Sequence, residues 1–297
     1  MTRERMPPLH TVEPERARAW LRETISDQRP PLPASDMVED RTLPARSGPR
    51  AVRLIRPAAT GDETLPVVLY FHGGGFVMGG IEESAHEAHR LAEAGPALVV
   101  SAAYRLAPEA PYPAAIDDGY DALVWTYENA PRWGGDPRRL TLAGCSAGGN
   151  LATAVAHLAA VSNGPRIRQL YLLCPWLDLT LSQPSVGAFA SGFGLDREEI
   201  EANAEAYVGD SGDAGDPMIS PALHDPPRGF PATRILAAEC DPLRDEARLF
   251  ARRLGRAGVP VDLIEAPGMI HAFDLWLHAM PAGRASVEEA ESALVPT

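Results

Sequence analysis

"LTLAGCSAGGN", residues 140–150, sets a serine and a cysteine side by side among glycines. A short apolar run, "RLTLAG" (139–144), leads into it, and "NLATAVAHLAAV" (150–161) after it has helical spacing. Gly144-Cys145-Ser146-Ala147-Gly148 fits G-x-S-x-G, in which a serine stands exposed on a tight turn from strand to helix. Such a turn leaves little room for side chains at its flanks, which is a steric reason for Gly144 and Gly148. A purely structural turn would leave the same pattern, so the surroundings must decide.

Outward from this stretch the chain repeats one rhythm. Six apolar runs, "PVVLYF" (66–71), "ALVVSAAY" (97–104), "RLTLAG" (139–144), "QLYLLC" (169–174), "TRILAA" (233–238) and "VDLIEA" (261–266), suit strands buried on both faces. Helical patterns lie between them, among them "SAHEAHRLAEAG" (84–95) and "PLRDEARLFARRLGRAG" (242–258). This alternation predicts an α/β fold, a mostly parallel central sheet flanked by helices. "MVEDRTLPA" and "RAVRLIRPA" are expected to add an antiparallel pair at one edge.

Two regions break the rhythm. Residues 1–35 carry a helical stretch, "EPERARAWLRETI", with no sheet strand after it, and residues 180–230 form a long insertion. Within the insertion "LDREEIEANAEAYVGD" reads as a helix with Asp196 as N-cap, Glu199 three residues on in a capping box, and Gly209 as the stop. Long structureless loops are uncommon in compact domains. The two regions are therefore read as a helical cap over the carboxyl edge of the sheet, within one domain spanning 1–297.

Composition narrows the chemistry. The net charge of −13 disfavours nucleic acid or an anionic membrane as partner. No apolar run approaches the roughly 20 residues that span a bilayer, and the charged start of the chain does not resemble a signal peptide, so the expected location is cytoplasmic. Cys145, Cys174 and Cys240 are too scattered for a disulfide framework or a paired-thiolate zinc site. All 27 basic residues are arginine. Without lysine, phosphate-loop and Schiff-base chemistry are disfavoured. No metal or cofactor is expected.

"FHGGGF" (71–76) follows an apolar strand, and three successive glycines mark a place where backbone must come close to something. Paired with the Ser146 turn, it reads as an oxyanion hole, with the N–H groups of Gly74, Gly75 and Ala147 as donors; a flexible loop or a phosphate-binding turn is the alternative. A serine nucleophile needs an acid and a base, expected in the order Ser, Asp or Glu, His. His271 stands just beyond the last apolar run, and His278 is placed on a final helix. His86 and His89 share a helical face, which reads as a solvated one. For the acid, "AECDPLRDEA" offers Glu239, Asp241, Asp245 and Glu246. Asp241 is favoured at the strand-to-helix junction, although Asp-Pro there also suits an N-cap.

"HGGGF", "YRLAPEAPYPAA", "GCSAGGN", "DPLRDEA" and "HAF" occur in this order over roughly residues 64–280. With them the chain resembles the bacterial hormone-sensitive-lipase family of α/β-hydrolases. The resemblance implies a serine carboxylesterase with Ser146 as nucleophile, His271 as base, Asp241 as acid, and Gly74, Gly75 and Ala147 at the oxyanion. It gives His72 a structural role at the glycine loop. Two positions depart from the family pattern: Cys145 stands where an acidic residue is usual, and Ala272 where a glycine follows the histidine. Cys145 is read as a packing residue.

The implied reaction is hydrolysis of short to medium acyl esters through an acyl-enzyme, on a small-molecule ester, without nucleic acid or membrane. Phe189, Phe193, Trp176 and Trp20 are expected to enclose an apolar pocket. Two alternatives stay open, a hydrolase or acyltransferase acting on a natural-product ester, lactone or amide, and a non-catalytic receptor on the same fold. The oligomeric state is open, a homodimer being one arrangement compatible with the sequence.

Overall fold

The computed structural model describes residues 11–28, 31–32, 37–57, 60–61, 63–210, 212–292 and 294. After helix α1 (Pro14–Gln28), β1 (Met37–Ala45) and β2 (Gly48–Arg56) form the expected edge hairpin. The six apolar runs become β3 (Leu65–Phe71), β4 (Leu98–Ala102), β5 (Gly135–Cys145), β6 (Gln169–Leu173), β7 (Ala232–Cys240) and β8 (Val261–Ile270). Together they make one eight-stranded sheet in the order β1-β2-β4-β3-β5-β6-β7-β8. The β1–β2 and β2–β4 pairs are antiparallel and all the others parallel.

Crossover helices α2 (Ala85–Ala94), α3 (Ala114–Asn129) and α4 (Ala147–Ser162) follow β3, β4 and β5. Helices α5 (Pro184–Ala188) and α6 (Arg197–Val208) fill the insertion before β7, α7 (Arg244–Arg256) joins β7 to β8, and α8 (Arg284–Glu291) closes the described chain. The two-residue period of β3 splits the core. Val67, Leu69 and Phe71 pack with Leu123 of α3, Leu151 of α4 and Phe250 of α7 in one cluster. Val68 and Tyr70 pack with Leu91 of α2 and Val287 of α8 in the other. Connections leave β3 and β5, which are neighbours, in opposite directions. The crevice beyond their carboxyl ends is where open α/β sheets bind ligands.

The insertion and α1 meet at that crevice. Arg18 of α1 donates to the carbonyls of Val77 (2.8 Å) and Ala107 (3.0 Å) and pairs with Glu109. Tyr207 of α6 stacks on Phe76 with ring centroids 3.6 Å apart, and its carbonyl accepts the Tyr112 N–H at 2.8 Å. Of the expected cap, residues 1–10, 29–30, 33–35 and 211 lie outside the described residues.

Three local expectations need correction. Asp196 stands at the N-cap of α6 and Gly209 ends that helix, but no capping box forms. Asp196 Oδ1 instead accepts the Gly192 N–H at 2.9 Å, which leaves Glu199 free to turn inward. His89 is buried rather than solvated, because α2 lays that face on the sheet. His278 sits in a turn before α8, since Pro281 interrupts the pattern that had read as one helix.

Tyr207 is buried, and its hydroxyl makes no hydrogen bond among the described residues. Its contribution is therefore the ring. Tyr207→Ala should lower stability by about 3 kcal/mol, in the range of large aromatic deletions, while Tyr207→Phe should be near neutral. Urea unfolding of the two variants beside the parent checks this.

Candidate active site

β5 runs into Ser146 and α4 starts at Ala147, so the sequence turn is a strand–serine–helix junction. Ser146 holds φ at +54°, a left-handed value that costs a side chain-bearing residue about 1 kcal/mol. Packing imposes that geometry. A Cβ on Gly148 would run into the carbonyls of Phe71 and His72 at the end of β3, and one on Gly144 into the backbone of Gly148. The Ser146 carbonyl accepts the N–H of Gly149 (2.9 Å) and of Trp176 (3.1 Å). Asn150, one turn on, donates to the carbonyls of Trp176 and Ile219, tying the turn to the insertion.

The structure brings Ser146, His271 and Asp241 together from three separate strand ends. His271 Nε2 is 3.0 Å from Ser146 Oγ, and its Nδ1 is 2.8 Å from Asp241 Oδ2. All three side chains are largely buried. Burial by itself would lower the pKa of His271. The charge and hydrogen bond of Asp241, with Asp274 and Glu199 nearby, outweigh it and leave the imidazole pKa raised above its ordinary value.

The four carboxylates offered by the sequence separate by position. Glu239 reaches out to the Gly268 N–H at 2.7 Å. Asp241 accepts the Leu243 N–H (2.8 Å) with Oδ1 while Oδ2 faces His271, so its turn-forming role and its histidine contact coexist. Asp245 pairs with Arg244 (2.9 Å) and Arg248 (3.1 Å). Glu246 is fully buried and accepts the Leu177 N–H, and burial pushes its carboxyl well above the usual range despite that bond.

The glycine loop lies against the serine. An added Cβ on Gly73 would sit 3.5 Å from Ser146 Cβ. Gly74 and Gly75 have φ of +116° and +62°, and their N–H groups have no acceptor among the described residues. The N–H of Ala147 opens α4, where first-turn donors lack intrahelical partners. His72 sits beneath the loop as expected. Its Nδ1 is 2.8 Å from the Gly73 carbonyl, its ring stacks on Tyr104 at 4.2 Å, and its own carbonyl accepts the Tyr104 hydroxyl. Burial lowers its pKa to about 4, so it is neutral at physiological pH.

Cys145 is 1 % exposed and packs beneath the sheet, with burial pushing its thiol pKa well up. Cys174, which the sequence did not single out, lies with its sulfur within 4.8 Å of Asp241 and His271 ligand atoms. Burial, and then the Asp241 charge, hold it as a neutral thiol, the form that does not ligate metals. Ala272 has φ of +52°, so the departure from glycine falls where the backbone is left-handed. Of the aromatic residues expected around a pocket, Phe189 and Phe193 meet edge to face at 5.0 Å and Trp176 is buried, whereas Trp20 is 38 % exposed.

Glu199 was hidden by its capping-box pattern. From α6 it enters the electrostatic field of His271, and burial raises its carboxyl pKa to about 7. Asn203, on the next turn of α6, fills the space that a Cβ on Gly75 would take. An acid and an amide four residues apart on an expected cap helix were the only sequence signal.

A protein-family profile described as "alpha/beta hydrolase fold" matches residues 68–275. The chain belongs to the α/β-hydrolase family. Its likeness to the hormone-sensitive-lipase branch rests on the same match and on esterase relatives. This α/β-hydrolase is 40% identical over 247 residues, 82% of its own length and 77% of the other's, to the carboxylesterase NlhH of Mycobacterium tuberculosis. It is 34% identical to the ethyl acetate hydrolase of Pseudomonas putida, across 97% of this chain and 89% of that one. Among solved structures, a thermostable esterase from Pseudomonas putida ECU1011 superposes with a TM-score of 0.92 at 32% identity, covering 98% and 92% of the two chains. A hyperthermophilic esterase from the archaeon Pyrobaculum calidifontis gives 0.88 at 33%, covering 96% and 93%. No helix of the described residues is long and apolar enough to cross a membrane.

The close approach at Gly148 is the most exacting contact of this α/β-hydrolase site. Gly148→Ala should cost about 3 kcal/mol, the upper end of overpacking, since backbone on both sides must shift to admit a methyl group. Thermal unfolding of the purified variant, with soluble yield as a second readout, checks it.

Proposed function

We propose that the protein is a serine carboxylesterase acting on small esters of short to medium acyl chains. The observation that carries this is the continuous hydrogen-bonded line from Ser146 Oγ through His271 to Asp241, and the reading assigns the N–H groups of Gly74, Gly75 and Ala147 as oxyanion donors. In this reading His271 Nε2 takes the proton of Ser146 as its oxygen attacks the ester carbonyl. The three N–H groups receive the charge that grows on the carbonyl oxygen, and Asp241 fixes the tautomer and steadies the imidazolium. His271 then hands the proton to the departing alkoxide, leaving an acyl-serine that water opens by the same route in reverse.

A receptor on this fold would have no need of a complete relay, and the presence of all three members favours catalysis. The short-chain preference is supported by the named substrate of the Pseudomonas putida relative. We read α1, α5 and α6 as a cap over a single domain. Three free cysteines and an acidic surface suit a reducing cytoplasm.

Substitutions test the roles. Ser146→Ala should abolish hydrolysis of p-nitrophenyl acetate, and Cys145→Ala should retain it. Asp241→Asn should lower kcat by about 10⁴, as loss of the acid does in serine proteases. Asp245→Asn should instead cost about 1 kcal/mol of stability through its arginine pairs. Steady-state kinetics and peptide mapping of a serine-directed phosphonate adduct provide the readout. An active Ser146→Ala enzyme, or an adduct on Cys145, would overturn the mechanism.

The pH profile follows from the sign of the His271 shift. The base works only when neutral, so kcat/KM rises with pH through its pKa. Asp241 holds that pKa above the ordinary value of 6.5. The acidic limb of kcat/KM should therefore inflect above pH 6.5, and in Asp241→Asn, where the raising charge is gone, it should move to lower pH.

A further inference from the structure

Helix α6 turns two polar side chains toward the crevice. Glu199 and Asn203 are four residues apart, hence on one helical face. Asn203 packs onto Gly75 of the glycine loop. The segment leading into α6 abuts the other side of the site, since an added Cβ on Gly194 would lie 3.0 Å from Ile270 and 3.7 Å from the His271 carbonyl. The α6 face thus bridges the proposed oxyanion donors and the proposed base. Among the described residues neither the Glu199 carboxylate nor the Asn203 amide makes a hydrogen bond, and the histidine whose charge Glu199 senses is His271. A carboxylate withdrawn from water without a donor is costly, and among the described residues no arginine is paired with this one. Its neighbour His271 is the group that protonates the departing alcohol, so the alcohol half of an ester would pass beside Glu199.

We propose that Glu199 is a specificity-determining residue for the alcohol half of the substrate, accepting a hydrogen bond from a hydroxyl or ammonium N–H there. The substrate class is then the acyl esters of polyols or amino alcohols rather than of simple alkanols. This rests on the carboxylesterase reading and deepens it. Asn203, packed on Gly75, is placed to contact the same polar group or the ester oxygen.

The test compares esters of equal size that differ in one donor. For the full-length chain and for Glu199→Gln and Glu199→Leu, kcat/KM is measured on 2-hydroxyethyl acetate and propyl acetate. The ratio of the two cancels any loss of folded enzyme and any shared effect on His271. The parent should prefer the hydroxyethyl ester, and Glu199→Leu should lower the ratio about tenfold, the scale of one hydrogen bond to a charged group. Glu199→Gln, which keeps a carbonyl acceptor, should retain most of the preference. A third ester, 2-(dimethylamino)ethyl acetate, separates the donors, and a larger loss there in both variants would assign the site to ammonium esters. Equal ratios in parent and Glu199→Leu, with p-nitrophenyl acetate still hydrolysed, would overturn this inference and leave the esterase reading standing. No hydrolysis of any ester by the parent would overturn both.

Discussion

The first turn of α4 approaches the end of β3 so closely that no side chain fits between them, and the rest of the site follows from that contact. Gly148 lies on the carbonyls of Phe71 and His72, so the chain must turn sharply between β5 and α4. Ser146 is the residue left at the bend, with a positive φ that its neighbours enforce. The same contact sets the glycine loop after β3 beside the serine after β5. Two segments some 70 residues apart thereby share one crevice.

Around this turn the ionisable groups are sorted by their surroundings. Asp241 gains a backbone donor on one oxygen and the imidazole on the other. Burial pushes the Glu246 carboxyl well above its usual range, and it does the same to the thiol of Cys174, whose sulfur lies within 4.8 Å of the Asp241 and His271 ligand atoms. A second clamp acts on the segment just after the histidine. Arg90 of α2 pairs with Asp274, three residues past His271, and with Glu291 of α8. The short segment that carries the histidine is thus tied to a helix from the other end of the chain.

The helices above the crevice contribute in a different way. Their hold is mainly aromatic and backbone in nature, through Phe76, Tyr207 and the carbonyls that Arg18 and Tyr112 reach. Such contacts fix where α6 sits, and among the described residues they leave the Glu199 carboxylate and the Asn203 amide without a hydrogen-bond partner. That is the arrangement of a surface that can vary in specificity while the serine turn stays the same.

Much of the molecule was written locally. Six apolar runs bounded by turn residues were enough for the sheet, because a strand covered on both faces cannot hide its composition. Gly144, Ser146 and Gly148 announced a tight turn, since sterics at a bend act within a few residues. The chain order of serine, acid and histidine pointed to Ser146 and His271, and Asp241 was favoured by its place at a strand end. Burial and long-range contact remained for the tertiary structure to decide. His89 has the helical spacing of a solvated face yet packs inward, because which side of α2 meets the sheet depends on β3 and β4. Glu199 obeys the local grammar of a capping box but turns toward His271, because Gly192 takes the Asp196 carboxylate and 71 residues of intervening chain return the histidine to α6. A sequence pattern records what neighbours along the chain require. What a side chain faces across the fold is settled only when distant strands close around it.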